Sequence, residues 1–351
     1  LSPELSGPKL QALDAARPFI VRGCFLATLL AAGVAGLFWA MRQGHLGAGA
    51  VVAGLGVLLF VDAVRVDDAF IQTLDFGRWA APDENIRFLT EARDEEPPFR
   101  VLSMVQGGQD VKPGLYGLEL AAGHHPNDLA RYRELIGMEG SGAPRNLLRS
   151  TNVLRVLNVR YLLWPDLEYG PVDGMERVSG VTLPDGRRYR SLYRVPDLPR
   201  ARLVGSARVD PGPEAVDRIL SEEFEPGDEV ILAEPPPLEL PGEPVEGEVR
   251  WEERGPNRIV LRVRAAAPAL LVLSENWFPA WRARVDGVEA PVLRAYHTLR
   301  AVPVEAGEHR VEIFYSSDLL RRSLWLSAIS ALILACAAAT TLVRRRRGRR
   351  R

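Results

Sequence analysis

The chain has 351 residues, 47% of them hydrophobic and 25% charged, with 44 Lys and Arg set against 45 Asp and Glu. That balance excludes a basic nucleic-acid-binding body. The two cysteines, Cys24 and Cys336, both lie in apolar runs, which excludes a disulfide scaffold or a cysteine-ligated metal site between them.

Length predicts two or three units, and the apolar residues are bunched at the two ends. Only Lys9 and Lys112 are lysines, so the other basic residues are arginine, which reads as coding bias. The chain opens with Leu1 and a polar segment, without the basic start and small-residue cleavage site of a signal peptide. It reads as a piece of something longer.

The first apolar run spans Pro18 to Ala40, 23 residues. At 1.5 Å per residue that is roughly 34 Å, enough for a hydrocarbon core of about 30 Å. Arg22 sits where it can snorkel and Trp39 where an interfacial aromatic is expected. A second run, Leu46 to Val64, is uncharged before Asp62, and its small residues Gly49, Ala53, Gly54 and Gly56 predict close packing on a neighbouring helix. The third, Ser323 to Val343, is uncharged for 21 residues and ends in RRRRGRRR. Buried core helices would also be apolar, but the lengths and charged flanks favour membrane spans. Seven arginines follow the last span, and the positive-inside rule places them in the cytoplasm. Residues 66–318 are then extracytoplasmic in a multi-pass protein of a cell membrane.

The exported part divides in two. Residues 66–240 read as a mixed α+β region. DENIRFLTEARDE is an exposed helix and PFRVLSMV a strand. NDLARYRELIG is a helix with Asn127 or Asp128 as its cap, and Asn146 to Asn158 is another helix. Val159 to Trp164 is a buried strand, and RRYRSLYRV and ARLVGSARV are two short ones. The proline-rich, acidic AEPPPLELPGEPVEGE reads as a linker. Residues 241–318 read as an antiparallel β-sandwich. NRIVLRVRA alternates, WRARV–DG–VEAPV is a hairpin turning at Asp286-Gly287, and RAVPV–EAGE–HRVEIFY repeats the pattern around Gly307. Residues 319–351 hold the last span and the arginine tail. The expected fold is thus membrane α-helical spans plus an extracytoplasmic α+β region and an antiparallel β-sandwich.

The common catalytic signatures are absent: no phosphate-binding loop, no dinucleotide fingerprint, no H-E-x-x-H and no G-x-S-x-G. His124 and His125 with Asp128 carry metal-ligand chemistry, but adjacent histidines in a Gly/Pro-rich loop more often hydrogen-bond, and no metal or other cofactor is expected. Trp277, Phe278 and Trp281, beside Glu275 and Asn276, offer the aromatic faces and polar neighbours that a sugar needs; the same rings also suit a sandwich core. Asp67, Asp68, Glu119 and Asp128 are carboxylates with general acid or base chemistry, and spacing does not choose among them.

Four segments, taken in order, carry a resemblance: GLYGLELAAGHHPNDLARYRELI, LRVLNVRYLLW, LYRVPDLPRARLV and LSENWFPAWRARVDGVEAPVLRAYHTLRAVPVEAGEHRVEIFY. They resemble the C-terminal third of the YfhO family of bacterial multi-spanning membrane proteins, which look like C-type (GT-C) glycosyltransferases. The resemblance implies sugar transfer from a polyprenyl-phosphate carrier to a cell-envelope glycan or lipid. It also implies that the catalytic acidic residue lies in a first outer loop upstream of residue 1, so no catalytic residue is assigned here and the piece alone is expected to be inactive. The substrate-binding candidates are His124, His125, Asn127, Asp128, Trp277 and Trp281. The competing expectation is a non-catalytic, membrane-anchored envelope protein whose sandwich binds sugar or protein.

Overall fold

The structure, a computed structural model, describes residues 7–70, 74–123, 128–140, 142–172 and 174–348. It divides into two compact units, Leu1–Trp79 and Ala80–Arg351.

In the first unit, α1 (Gly7–Arg42) and α2 (Ala48–Phe70) are joined by a tight turn. Gly44 takes the left-handed conformation (φ 77°) that closes a helix C-terminus, and the His45 amide donates to the Ala40 carbonyl at 3.0 Å. The turn consumes Leu46 and Gly47, so the apolar part of α2 is Ala48–Val64. That is about 25 Å of helix, shorter than the expected second span. Only part of the small-residue packing forms. A Cβ on Gly54 would meet Leu37 at 2.9 Å, and one on Gly33 would meet Leu58 at 3.3 Å, whereas Gly49 and Gly56 face open space.

A short helix, α3 (Phe76–Ala80), ends where the second unit begins. Next comes α4 (Glu84–Glu95), capped by Asp83, whose carboxylate accepts from the Ile86 amide at 3.0 Å. Ile86, Leu89 and Ala92 recur at helical spacing and are buried against β1 (Arg100–Ser103) and its neighbours. The crossover from β1 runs through α5 (Ala130–Ile136), α6 (Arg145–Arg149) and α7 (Thr151–Val156) to β2 (Val159–Trp164), which lies parallel to β1. The helix expected over residues 146–158 is therefore two, broken at Ser150, which holds extended backbone. Asp128 does not occupy the N-cap of α5, which is Leu129, and Asn127, the other expected cap, lies outside the described residues. After α8 (Asp166–Tyr169), β3 (Glu176–Thr182) and β4 (Arg188–Arg194) complete a four-stranded sheet of order β1-β2-β4-β3. Alternation sends Val101, Tyr161 and Leu163 toward α4 and Leu102 and Leu162 into the central core.

The following elements are β5 (Ala201–Val204), β6 (Ser206–Val209), α9 (Glu214–Leu220), β7 (Glu229–Leu232), β8 (Gly247–Arg254), β9 (Arg258–Ala265), β10 (Ala269–Asn276), β11 (Trp281–Val285), β12 (Val288–Ala290), β13 (Leu293–Ala295), β14 (Leu299–Val304), β15 (Gly307–Tyr315) and α10 (Asp318–Gly348). They build a six-stranded sheet, β5-β10-β14-β13-β7-β6, and a five-stranded sheet, β12-β11-β15-β9-β8. Leu271, Leu273 and Val302 of the first pack against Leu261, Val263, Val311 and Ile313 of the second. The six-stranded sheet is buried on both faces, since Leu270 and Val272 of β10 join the central core instead.

Three sequence expectations change here. The sandwich takes β5, β6 and β7 from before residue 240, and β6 pairs parallel with β7, so residues 241–318 do not form it alone and it is not purely antiparallel. RAVPV–EAGE–HRVEIFY is no hairpin. Its two strands lie in opposite sheets, because both apolar faces, Val302 and Val304 on one and Val311 and Ile313 on the other, are turned into the same core. ARLVGSARV is two strands at opposite edges of one sheet. One residue, Gly205, separates them, so the sheet curls until its edges lie within about 7 Å. The Asp286-Gly287 turn is as expected, with φ of 52° and 84°.

Ala16–Arg42 of α1 and Asp318–Cys336 of α10 are long and apolar enough to cross a membrane. Phe25, Leu29, Leu324 and Trp325 are exposed along them. The chain is thus a mixed α+β protein, with two such helices beside a β-rich region of several sheets.

The proline-rich segment packs over Gly205: the Gly242 amide donates to its carbonyl at 3.0 Å, and a Cβ there would sit 2.1 Å from the Glu243 carbonyl oxygen. Gly205→Ala should therefore destabilise the second unit by about 2 kcal/mol, read as a lower thermal midpoint in detergent. An unchanged midpoint would mean that the segment does not press on the β5–β6 break.

Candidate functional site

The strongest concentration of buried charge lies where the four-stranded sheet meets the sandwich. Arg100 opens β1, Arg200 directly precedes β5, Arg300 lies on β14 and Arg254 ends β8. Arg100, Arg200 and Arg300 are each less than a tenth exposed. The register of β10 against β14 slips between Leu273 and Asn276, and this bulge frees Glu275 from the ladder. Glu119 is carried beside β1 by a short parallel segment, in which the Val101 amide donates to the Glu119 carbonyl at 2.8 Å.

Arg200 donates from Nε and Nη2 to Glu275 Oε1 at 3.0 and 2.8 Å, and from Nη2 to Glu119 Oε2 at 2.5 Å. Arg100 Nη2 lies 3.7 Å from Glu275 Oε2, and its Nη1 donates to the Leu157 carbonyl at 2.9 Å. Arg254 donates to Glu119. Arg300 donates from Nε to the Asn276 carbonyl at 2.7 Å and stacks on Trp281, 3.4 Å from the ring centroid.

Burial, with a push from Arg200, lowers Arg100 to about 10. Burial lowers Arg300 to about 10 as well, partly opposed by Glu275. Both stay cationic at neutral pH. Burial raises the Glu275 carboxyl, but Arg200 and Arg100 outweigh it and hold the group below the ordinary glutamate value of 4.5. Four guanidiniums thus face two carboxylates, an excess of two positive charges. The Nη1 atoms of Arg200 and Arg300 are buried without a hydrogen-bond partner among the described residues. Arg160 shows the contrast: its Nε and Nη2 donate to Asp197 and its Nη1 to Glu96, so its charge is fully met.

A cleft of about 350 Å³ opens on this cluster, lined by Glu119, Arg200, Arg254, Glu275, Trp281 and Arg300. Arg100 and Asn276 also line a neighbouring cavity of about 410 Å³ with Asp128 and Tyr132. The Tyr132 hydroxyl there donates to the Ala121 carbonyl at 2.5 Å, and its pKa is raised by burial.

The residues singled out from sequence do not share one site. Asp128 lines the second cavity, with Arg133 Nη1 3.9 Å from its carboxylate. Trp277 donates from Nε1 to the Val292 carbonyl at 2.8 Å and lines a third cavity, of about 220 Å³, with Phe278. Of the substrate-binding candidates Trp281 alone reaches the charged cleft, its ring also edge-on to Tyr315 at 5.5 Å. Glu119 and Glu275, named from sequence only as one of several carboxylates and as a neighbour of the aromatic group, line the cleft as well. His124, His125 and Asn127 lie outside the described residues. Among the described residues no group of three His, Cys, Asp or Glu is placed to hold a metal ion. Sequence reasoning missed Arg100, Arg200, Arg254 and Arg300. The available signal was an arginine inside an otherwise apolar run, as in FRVLS and TLRAVPV.

Because the folded Glu275 pKa lies below 4.5, its stabilisation is full above the unfolded value and is lost as pH falls through the folded one. Glu275→Gln should lower stability at pH 7 by about 3 kcal/mol, since it strands buried guanidiniums. The gap to wild type should close in acid below the glutamate range, as followed by thermal midpoints across pH. A gap constant down to strong acid would contradict an ionised Glu275.

Comparison of the chain with protein-family models, with curated proteins and with solved structures finds no match.

Proposed function

We propose that this chain is the outer, acceptor-side part of a bacterial integral-membrane glycosyltransferase. The whole protein moves sugar from a polyprenyl-phosphate donor to an envelope glycan or lipid, and residues 66–318 lie outside the cytoplasm. The order of the four YfhO-like segments supports this reading, as do the apolar lengths of α1 and α10.

The observation that carries it is where the charged cleft lies. The chain passes from β15 into α10 at that end of the sandwich. There the Tyr315 amide donates to the Asn257 carbonyl at 2.9 Å and the Ser316 amide to the Ala280 carbonyl at 2.8 Å, beside the cleft residues Pro256 and Trp281. With α10 as a span beginning at Asp318, the cleft sits close to the bilayer surface, at the level of a lipid-linked donor's headgroup. Glycosyl transfer needs a base at the acceptor hydroxyl and cations at the departing phosphate. The cleft offers cations; no residue of this chain is assigned as the base.

One observation favours a non-catalytic envelope protein instead. Trp281 is already covered by Arg300 and Tyr315, and the Trp277 indole N–H is already used, so both rings also serve as packing. The two readings part in full-length protein supplied with a radiolabelled polyprenyl-phosphate sugar. Transfer by wild type, reduced about tenfold or more by a folded Trp281→Ala variant, is expected. No transfer with any such donor would leave the binding protein.

The arginine tail gives a separate test of orientation. A fluorescent protein fused after Arg351 should fluoresce, and a periplasm-dependent phosphatase fused there should stay inactive. The reverse pair of results would invert the topology.

A further inference from the structure

We propose that the cleft bounded by Arg200, Arg254, Arg300 and Trp281 is a binding site for a phosphate monoester. The cluster's excess positive charge is the first reason: the cleft's own lining sets Arg200, Arg254 and Arg300 against Glu119 and Glu275, an excess of one, and Arg100, which lines the neighbouring cavity, raises it to two. Buried guanidiniums are costly unless paired, and Arg300 has no carboxylate within ion-pair distance among the described residues, its guanidinium meeting only a backbone carbonyl and the Trp281 ring. Arg160, equally buried, has two carboxylates on its three nitrogens, whereas Arg202, like Arg300, meets only carbonyl, hydroxyl and ring partners but does not line this cleft.

The second reason is geometric. Arg200 and Arg300 line one cleft, and each keeps an Nη1, shut off from solvent, without a hydrogen-bond partner among the described residues. Arg254, more exposed, stands on the same cleft with Glu119 as its partner. Guanidinium N–H groups match phosphate oxygens in spacing and charge. The space of about 350 Å³ admits the phosphate together with part of what carries it.

Charge then chooses among anions. A phosphate monoester carries about −1.5 to −2 at neutral pH, which meets the cluster's excess with Arg100 counted, whereas one carboxylate would match only the cleft's own excess of one. The phosphate can come from a soluble sugar phosphate or from a lipid headgroup at the bilayer surface. The proposal rests on the transfer reading only for the lipid source; the binding chemistry stands on the cleft.

The test uses the full chain in nanodiscs and measures binding by calorimetry, with no transfer step required. One arm titrates inorganic phosphate and a hexose 1-phosphate, a second compares nanodiscs with and without phosphatidic acid by thermal midpoint, and glucuronate serves as the carboxylate comparator. Saturable binding in at least one phosphate arm is expected, at least about tenfold tighter than glucuronate and weakened by salt. A response to hexose phosphate identifies a soluble source, and a response confined to phosphatidic acid identifies a lipid one. Arg300→Gln should weaken binding about tenfold or more. If that variant does not fold, Arg254→Gln, at the exposed rim, should still weaken binding in a folded protein. No saturation in either arm up to about 10 mM, equal or tighter binding of glucuronate, or wild-type affinity in folded variants would each overturn the proposal. Failure of sugar transfer alongside intact phosphate binding would remove the enzyme reading and leave this site standing.

Discussion

Three buried guanidiniums, two of them paired with Glu275 and Glu119 and the third, Arg300, with a backbone carbonyl and a tryptophan ring, are the constraint around which the second unit is arranged. Taking Arg100, Arg200 and Arg300 out of water costs several kcal/mol each unless opposite charge and hydrogen bonds are brought to them. The fold meets part of that cost with backbone devices. The bulge in β10 frees Glu275, the segment beside β1 delivers Glu119, and Leu157 and Asn276 give carbonyls to Arg100 and Arg300. Each device comes from a different stretch of chain, so the cluster ties the four-stranded sheet to the sandwich.

Around that seam the six-stranded sheet acts as a shared layer. One face of β10 closes the core with the crossover helices and the other closes the sandwich core. The curl at Gly205 brings the sheet's two edges together, and the chain crosses between sheets at Glu305 and Ala306. These features hold Trp281 and Arg300, from facing sheets, in stacking contact at one end of the sandwich.

Much of the local structure is legible from sequence. Val159 to Trp164 is a strand to the residue, stopped by Pro165; Asp83 with the Ile86, Leu89 and Ala92 spacing marks α4; Asp286-Gly287 marks the hairpin. Pairing partners are not legible, because alternation tells which face of a strand is buried and not which sheet it joins. That is why β14 and β15 read as a hairpin when they face each other across a core. It is also why ARLVGSARV reads as one strand when Gly205 parts it. The boundary drawn at the proline-rich segment fails for a related reason: the segment looks like a linker by composition, yet it lies on Gly205, and β5 and β7 from before it pair with β10 and β13 from after it in one sheet.

The site was legible only in part, through Trp281 and the carboxylates Glu119 and Glu275, and not through its arginines. Trp281 stands out from sequence, but Arg200 meets Glu275 and Glu119 across 75 and 81 residues of chain, and arginine is too common here for any one to draw notice. A cation-rich cleft, beside an apolar helix long enough to span a bilayer, is what the proposed link between this chain and chemistry at a membrane surface rests on. That link depends on the cluster being one coupled unit. A double-mutant cycle of Arg200→Met with Glu275→Leu, followed by denaturant unfolding in detergent, measures the coupling directly. A coupling energy of about 1.5 kcal/mol or more is expected for contacting, buried charges. Additivity within about 0.5 kcal/mol would contradict it and reduce the cluster to independent contacts.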